Sequence, residues 1–351
     1  MKSPYVSELE ANQLANGVFL VQNKDVRQKK FGEPFLSLTL ADRTGDVDAK
    51  MWDNVDKVME TFSRDDFVRV KAMPQVFQNR IQLTIHTLVR VSDSEVDFAD
   101  YFPASARDPE EMFAELNGVI ASLSNPHLRA LLEALFVDPV IAAKFKRAPA
   151  AKTIHHAWLG GLIEHVLSLC TLARAVAPQY PHIDLDLLLT GVILHDIGKI
   201  DELIYDRGFG YSPEGQLLGH LVQGLAMVEE KLRGLPEFPP RLAVLVKHMI
   251  LSHHGELEFG SPKVPMFAEA LLLHHLDNLD SKMESVRGAI EKDRCLEGVW
   301  TGFVSSLDRT LLKKSRYLDG PPPAATAPTP TRSPEPATAM TEKLRQALKG
   351  D

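Results

Sequence analysis

The sequence predicts a multidomain protein of α and β structure, in which a five-stranded β-barrel is followed by an all-helical domain. The first observation is the hydrophobic period: apolar and polar residues alternate from Gly17 to about Val91, whereas the period of an α-helix prevails after Asp97. The second observation is the distribution of histidine, because eleven of the 13 histidines lie between His155 and His275. The middle of the chain therefore needs a chemical explanation as well as a structural one.

The barrel prediction depends on short segments of period two that are separated by turn residues. Turns are predicted at Asp42–Gly45 and Gln78–Arg80, and a short helix at Asn54–Phe62 separates the third strand from the fourth. Five short strands with a helix inserted at that point are typical of an OB-type barrel. The clearest strand segments are Leu36–Leu40, Val47–Met51, Val68–Val70 and Ile81–Ile85.

Helices are predicted for most of the chain after residue 97. Pro109 opens the first helix, with Glu110 and Glu111 in its first turn. Proline, alanine and threonine dominate from Gly320 to Pro336, a composition that forms no core. We therefore predict a barrel domain at 1–96, a helical linker at 97–150, a helical domain at 151–318 and a flexible tail at 319–351. Further helices are predicted at Pro126–Val137, Ile154–Val176, Leu185–Asp196, Gln216–Arg233, Arg241–His254 and Met266–Glu291.

Composition excludes several classes of protein. A formal net charge of -8 disfavours a protein that coats duplex nucleic acid, since such proteins need many cationic contacts, so any nucleic-acid contact must be local. Cys170 and Cys295 are too few for a disulfide framework and are predicted to be buried thiols. We expect a cytoplasmic protein without a membrane partner, because no run of about eighteen apolar residues could span a bilayer.

Seven residues of good metal-ligand type lie near the middle or the end of predicted helices. His195 and Asp196 follow the apolar run Leu187–Leu194, where two unpaired polar groups would cost several kcal/mol if buried. Metal ligation removes that cost. Asp196 is suited to bridge two cations, because its carboxylate has two oxygens, while neutral imidazoles fill the remaining positions. The seven residues are His165, His195, Asp196, His220, His253, His254 and Asp277.

Such a site predicts hydrolysis of phosphate esters. A water held between two cations has its pKa lowered toward neutrality, and the same cations neutralise charge on the phosphoryl oxygens. Lys199, four residues after His195, is predicted to contact a phosphate oxygen or the leaving group, beside the catalytic Asp196. The many imidazoles favour two ions of manganese, cobalt, iron or nickel over magnesium, which prefers oxygen ligands.

The order of these residues resembles the metal-ligand pattern of the HD phosphohydrolase superfamily in its two-metal form. The flanking segments His155–His165, Tyr211–His220 and His275–Lys282 are similar to those of the YhaM-type 3'-5' exoribonucleases, which join an OB-fold module to an HD domain. In the barrel, Lys50–Asp53 is similar as well. The resemblance covers about residues 5 to 318 and leaves only the proline-rich tail outside.

The resemblance implies stepwise removal of nucleotides from the 3' end of single-stranded RNA, and of single-stranded DNA as a further substrate, with manganese or cobalt. It assigns one metal to His165, His195, Asp196 and Asp277, and the other to Asp196, His220, His253 and His254. Two alternatives stay open: a phosphohydrolase of a small or cyclic nucleotide, and a non-catalytic RNA-binding regulator. Residues 210–213 only approximate the Gly-Tyr-Pro element of HD enzymes that act on cyclic dinucleotides.

Nucleic-acid contacts are predicted on the barrel, because OB folds hold single strands by base stacking over a cationic groove. Residues 1–95 contain thirteen Lys and Arg against fourteen Asp and Glu, so the domain as a whole is nearly neutral. Its most cationic segment, Lys24–Lys30, is predicted to be a loop between the first two strands. The alternative is a barrel that only packs on the helical domain or forms a homo-oligomer. The predicted contacts are Lys24, Arg27, Lys29, Lys30, Trp52, Arg69, Lys71 and Phe77.

Five further residues are candidates for roles around the metals. Asp280 lies three residues after Asp277 and could orient a ligand through a hydrogen bond. The candidates for the lining of the substrate cleft are His155, His156, His274 and His275.

Overall fold

In a computed structural model, the described residues are 3–29, 32–151, 158–205, 210–291, 293 and 297–319. Several predictions fall outside these ranges: the contact at Lys30, the cleft residues His155 and His156, the buried thiol of Cys295 and the tail from residue 320 onward.

The N-terminal region forms a closed barrel of five strands in the order β1-β2-β3-β5-β4. β3 and β5 pair in parallel, whereas all the other neighbours are antiparallel. The alternating apolar residues of each strand point inward, because successive side chains of a strand lie on opposite faces. Phe19, Leu36, Leu40 and Leu83 are fully buried. The strands are β1 Ala15–Gln28, β2 Pro34–Asp42, β3 Gly45–Met51, β4 Phe67–Phe77 and β5 Arg80–Val91.

The barrel confirms the predicted OB-type fold and corrects two of its details. The inserted helix, α1, is only Val55–Val58, shorter than predicted. The segment from Lys24 onward is not a loop: β1 continues to Gln28, and Val26 pairs with Leu36 of β2. Its alternation was obscured because the outer half of this long hairpin lies largely in solvent on both faces.

The rest of the described chain is mainly helical. Leu187 to Leu194 of α6 are all buried, so this helix lies at the centre of the helical core. The helices are α2 Pro109–Ala121, α3 Pro126–Phe136, α4 Pro139–Arg147, α5 Gly161–Val176, α6 Leu185–Leu194, α7 Lys199–Glu202, α8 Pro213–Arg233, α9 Pro240–Ser252, α10 Ala268–Glu291 and α11 Lys314–Asp319. Two short strands, β6 Leu203–Ile204 and β7 Gly210–Tyr211, pair between α7 and α8.

One helix start and one helix that was not predicted have local causes. α5 begins at Gly161, later than predicted, because Gly160 has φ 77°, a left-handed conformation that a continuing right-handed helix cannot include. α4 was not predicted, although Asp138 and Pro139 form a standard helix start: the Asp138 carboxylate accepts from the amide of Val140 at 3.0 Å. Among the described residues, no helix combines the length and the apolar character needed to cross a bilayer.

Candidate metal centre

The structure brings all seven predicted ligand residues together at one place in the helical region. They come from five segments of the chain: α5, the end of α6, α8, the end of α9, and α10. Their side chains form three overlapping groups, in each of which the possible ligand atoms lie within 4.8 Å of one another. The groups are His165, His195 and Asp277; His195, Asp196 and His253; and His220, His253 and His254.

Asp196 lies between the two outer groups and turns one carboxylate oxygen to each. Its Oδ2 is 3.3 Å from Nε2 of His195 and 4.0 Å from Nε2 of His165. Its Oδ1 is 3.5 Å from Nε2 of both His220 and His253. This is the arrangement that a carboxylate shared by two cations requires.

In His195 and His253 the other ring nitrogen is already used. Nδ1 of His195 is 2.7 Å from the carbonyl oxygen of Val192, and Nδ1 of His253 is 2.8 Å from that of Ile250. A carbonyl oxygen only accepts, so both Nδ1 atoms carry the proton and donate. In the neutral imidazole, Nε2 then keeps a lone pair. These lone pairs are directed into the centre.

The donor atoms at the centre fit a divalent metal. Nε2 of His195, Nε2 of His220 and Oδ1 of Asp196 are buried and have no hydrogen-bond partner among the described residues. Lone pairs that face one another in a buried site repel, and a buried polar atom without a partner costs free energy. A cation between these atoms removes both costs. Imidazole and carboxylate donors are the ligands of the first-row transition metals.

His220 is presented by a break in α8. Gly219 has φ 71° and ψ 161°, which are not helical values, so the amide of His220 leaves the helical hydrogen-bond pattern. Oε1 of Glu202 accepts from this amide at 3.0 Å and lies 3.0 Å from Nδ1 of the same residue. Glu202 therefore fixes both the backbone and the ring of His220. The sequence analysis missed Glu202, since its role depends on how α7 packs against α8.

Gly198 allows this packing. A Cβ atom at position 198 would lie 2.0 Å from the carbonyl oxygen of His220 and 2.6 Å from the amide nitrogen of Gly224. The backbone that follows His195 and Asp196 thus runs directly against the backbone that carries His220. Glycine at position 198 therefore has a steric cause.

Asp280, a candidate from the sequence analysis, contacts His165 on the side away from the other ligand residues. Nδ1 of His165 is 2.8 Å from Oδ2 of Asp280, and Oδ1 of Asp280 accepts from the Ser168 hydroxyl at 2.5 Å. Nε2 of His165 lies 3.2 Å from Oδ1 of Asp277. Ser168 is a second residue that the sequence analysis missed, although it lies one helical turn after His165.

Lys199 contacts Asp196 directly. Its Nζ is 2.6 Å from Oδ2 of Asp196, and only 13% of the Lys199 side chain is exposed. Burial lowers the pKa of this ammonium, but the Asp196 carboxylate outweighs burial and raises it. The lysine is therefore charged at the centre. Its predicted contact with a phosphate oxygen stays a prediction.

Charge compensation holds the buried carboxylates in their ionised form. Burial raises the pKa of Asp196, but the ammonium of Lys199 and the ring of His195 hold it well below its usual range. Burial also raises the pKa of Asp277, and its hydrogen bond with His165 more than offsets this. For His165, burial lowers the pKa, whereas the carboxylates of Asp277 and Asp280 raise it to about 9. Burial lowers the pKa of His253 to about 3, so this ring is neutral and able to bind metal.

His275 lies apart from the ligand groups. It is exposed on α10, and its ring centroid is 5.0 Å from that of His274. Its place in a substrate cleft stays a prediction.

The barrel residues that are predicted to contact nucleic acid differ from one another in their surroundings. Trp52 is 40% exposed and stacks on Phe35, with ring centroids 4.6 Å apart and an angle of 23° between the planes. Lys24, in contrast, donates to the carbonyl oxygens of Met59 and Phe62, so its ammonium holds the segment after α1 in place.

The other described cations of this set lie at the surface. Arg27 pairs with Asp25 at 3.1 Å, and Lys29 pairs with Glu33 at 3.0 Å, which reduces the local positive charge. Arg69 and Lys71 are exposed on β4, and Phe77 at its end is 55% exposed. Their contacts with nucleic acid stay predictions.

Comparison with known proteins agrees with this geometry. A family model described as the HD domain matches residues 162–282, and one described as an OB-fold nucleic acid binding domain matches residues 21–90. The 3'-5' exoribonuclease YhaM of Bacillus subtilis is 36% identical over 290 residues, which cover 82% of this chain and 90% of that protein. This chain belongs to the YhaM family. The YhaM exoribonuclease of Bacillus velezensis is also 36% identical, over 312 residues that cover 88% of this chain and 96% of the relative.

Comparison with solved structures gives a partial similarity. The second OB-fold domain of replication protein A from Methanococcus maripaludis has a TM-score of 0.22 and 18% identity, and covers 26% of this chain and 95% of that domain. Within the YhaM-family chain, the HD match spans every predicted ligand from His165 to Asp277. The HD domain and its donor groups together show a centre for divalent metal.

Proposed function

We propose that this chain is a 3'-5' exoribonuclease, which hydrolyses single-stranded RNA at a pair of divalent metal ions, with single-stranded DNA as a further substrate. The observation that carries the proposal is the position of Asp196, whose two oxygens face two separate groups of imidazoles. The curated YhaM relatives, which match most of this chain, are named for this activity.

The ligand sets that we propose share Asp196. His165, His195 and Asp277 complete one set, and His220, His253 and His254 complete the other. When bound, such a pair of ions supplies a water of lowered pKa and neutralises charge on the phosphate. The donor set favours manganese, cobalt, iron or nickel over magnesium, because imidazole nitrogens outnumber carboxylate oxygens.

The chain's own residues limit how the RNA approaches. His165 and His195 have no exposed side-chain surface, whereas Asp277 retains 18% and His220 retains 12%. The phosphate therefore approaches from the side of Asp277 and His220. The charged ammonium of Lys199 is close enough to Asp196 to reach a non-bridging phosphate oxygen, where it opposes the growing negative charge during hydrolysis.

We propose that the barrel, at 1–96, binds the single strand, while the helical domain at 151–318 cuts it. The stacked pair Phe35 and Trp52 offers an aromatic face on which a base can stack, and base stacking is largely independent of sequence. Lys50 supports this site, because its Nζ lies 5.9 Å from the Phe35 ring centroid. We also propose the cytoplasm as the place of action.

The test is an assay with 5'-labelled single-stranded RNA and manganese. The expected result is a ladder that shortens from the 3' end. Asp196→Asn should abolish it, whereas Asp201→Asn should not, because Asp201 pairs with Lys144 away from the ligand groups. Intact RNA together with hydrolysis of a cyclic dinucleotide would replace the proposal with a small-nucleotide phosphodiesterase. Binding of RNA without cleavage would replace it with an RNA-binding regulator.

A further inference from the structure

His274 lies on α10, three residues before Asp277, and contacts the turn that carries two of the proposed ligands. α9 ends at Ser252, and His253 and His254 follow at once. The last carbonyl groups of a helix have no partner within the helix. The carbonyl oxygen of His253 finds one in α10, since Nδ1 of His274 lies 2.8 Å away.

The direction of this hydrogen bond is set by the carbonyl group. A carbonyl oxygen cannot donate, so Nδ1 of His274 carries the proton and donates it. His253 is thereby held at two points. Its ring donates to the carbonyl oxygen of Ile250 at 2.8 Å, and its own carbonyl accepts from His274.

The same imidazole packs against the backbone beyond His254. Gly255 has φ 82°, and its amide donates to the carbonyl of Ser252 at 2.8 Å, which closes the turn. A Cβ atom at position 255 would lie 2.2 to 2.4 Å from three ring atoms of His274. The ring of His274 thus touches both ends of the His253–His254 pair, and the turn has little freedom to shift.

We infer that His274 is a positioning residue for the ion held by His220, His253 and His254. It makes this contribution through the backbone of the turn and not as a ligand. α10 also carries Asp277. One helix would therefore position the Asp277 carboxylate in one ligand set and, through His274, the turn with His253 and His254 in the other. The inference rests on the proposed function for its two-ion centre.

The test compares two substitutions of His274 by their metal binding. His274→Phe keeps the volume of the ring but has no donor, whereas His274→Asn keeps an N–H group near the position of Nδ1. His248→Phe is the matched control: His248 lies on α9 and accepts from the amide of Met266 at 3.1 Å, outside the ligand groups. Manganese titration by calorimetry and metal analysis after gel filtration give the affinity and the number of ions for each chain.

We expect His274→Phe to retain one ion and to bind the second about 10- to 100-fold more weakly, the usual effect of losing a group that orients a ligand. His274→Asn and His248→Phe should bind two ions with nearly the affinity of the unaltered chain. The inference is overturned if His274→Phe binds both ions normally, or if the Phe and Asn variants lose the second ion equally. Circular dichroism in chelator checks that each variant is folded.

This outcome is separable from that of the proposed function. A chain that binds two ions but does not shorten RNA contradicts the exoribonuclease proposal and leaves the role of His274 standing. A chain that shortens RNA, and whose His274→Phe variant keeps both ions, contradicts the role of His274 alone.

Discussion

The Glu202 carboxylate holds His220 by two contacts of equal length, one to the backbone amide and one to Nδ1, each at 3.0 Å. The carboxylate replaces the helical partner that the amide loses at Gly219, and it fixes which ring nitrogen carries the proton. Burial raises the pKa of Glu202, but the contact with His220 outweighs burial and lowers it, so the group is ionised.

Removal of this carboxylate should weaken one ion site. We predict that Glu202→Leu binds the ion at His220 about 10- to 100-fold more weakly, because the ring loses its orienting partner. Glu202→Gln should lose less, since an amide oxygen still accepts. Calorimetric titration with manganese measures both. Equal binding by the Leu variant and the unaltered chain would show that Glu202 has no part in the centre.

A single variant of Lys199 distinguishes the predicted role at the phosphate from charge compensation of Asp196 alone. If the ammonium acts on the phosphate, Lys199→Met should lower kcat for RNA by about 10²- to 10³-fold with two ions still bound. If it only compensates the charge of Asp196, metal affinity should change and the activity of the fully loaded protein should not. We expect the first result, measured as kcat at saturating manganese together with metal content.

The close approach at Gly198 predicts a loss of stability on substitution. Gly198→Ala must displace the backbone at His220, and we expect the free energy of unfolding to fall by roughly 1–3 kcal/mol. Gly118→Ala is the control, because no described atom outside the neighbouring backbone of α2 lies within 4 Å of its added Cβ. That control should gain about 0.5–1 kcal/mol. Urea unfolding measures both, and a stable Gly198→Ala variant with normal metal content would contradict the packing described here.

The aromatic pair on the barrel predicts a loss of RNA affinity without a loss of chemistry. Trp52→Ala removes the exposed ring of the stack, and binding of single-stranded RNA should weaken by about 1–3 kcal/mol. Hydrolysis of a small phosphodiester such as bis-p-nitrophenyl phosphate should not change. Val89→Ser, at a position 64% exposed on β5, is the control and should bind RNA normally. Fluorescence anisotropy gives the Kd, and an unchanged Kd for Trp52→Ala would remove this ring from the binding surface.

The sequence was sufficient for the parts of the structure that depend on local period and residue type. Period two located the strands, and polar metal-ligand residues at the end of the buried helix α6 located the centre. What could not be predicted depends on contacts between distant segments. Glu202 and Ser168 have ordinary sequence surroundings, and only the approach of α8 and α10 gives them partners.

In the barrel, too, the sequence pattern of the cationic segment that begins at Lys24 did not predict its structure. A charged run resembles a loop in sequence, yet here it extends the hairpin and Lys24 turns inward to two carbonyl groups. The helix start at Gly161 was also missed, although a glycine at position 160 was a signal for it. At both positions the backbone of the folded chain differs from the structure that the local sequence pattern predicted.

The central claim is that Asp196 is shared by two metal ions, and anomalous diffraction from crystals soaked in manganese tests it most directly. We predict two peaks, one among His165, His195 and Asp277 and the other among His220, His253 and His254, with one oxygen of Asp196 directed to each. A single peak away from Asp196, or no peak in protein that is folded and fully soaked, would contradict the account.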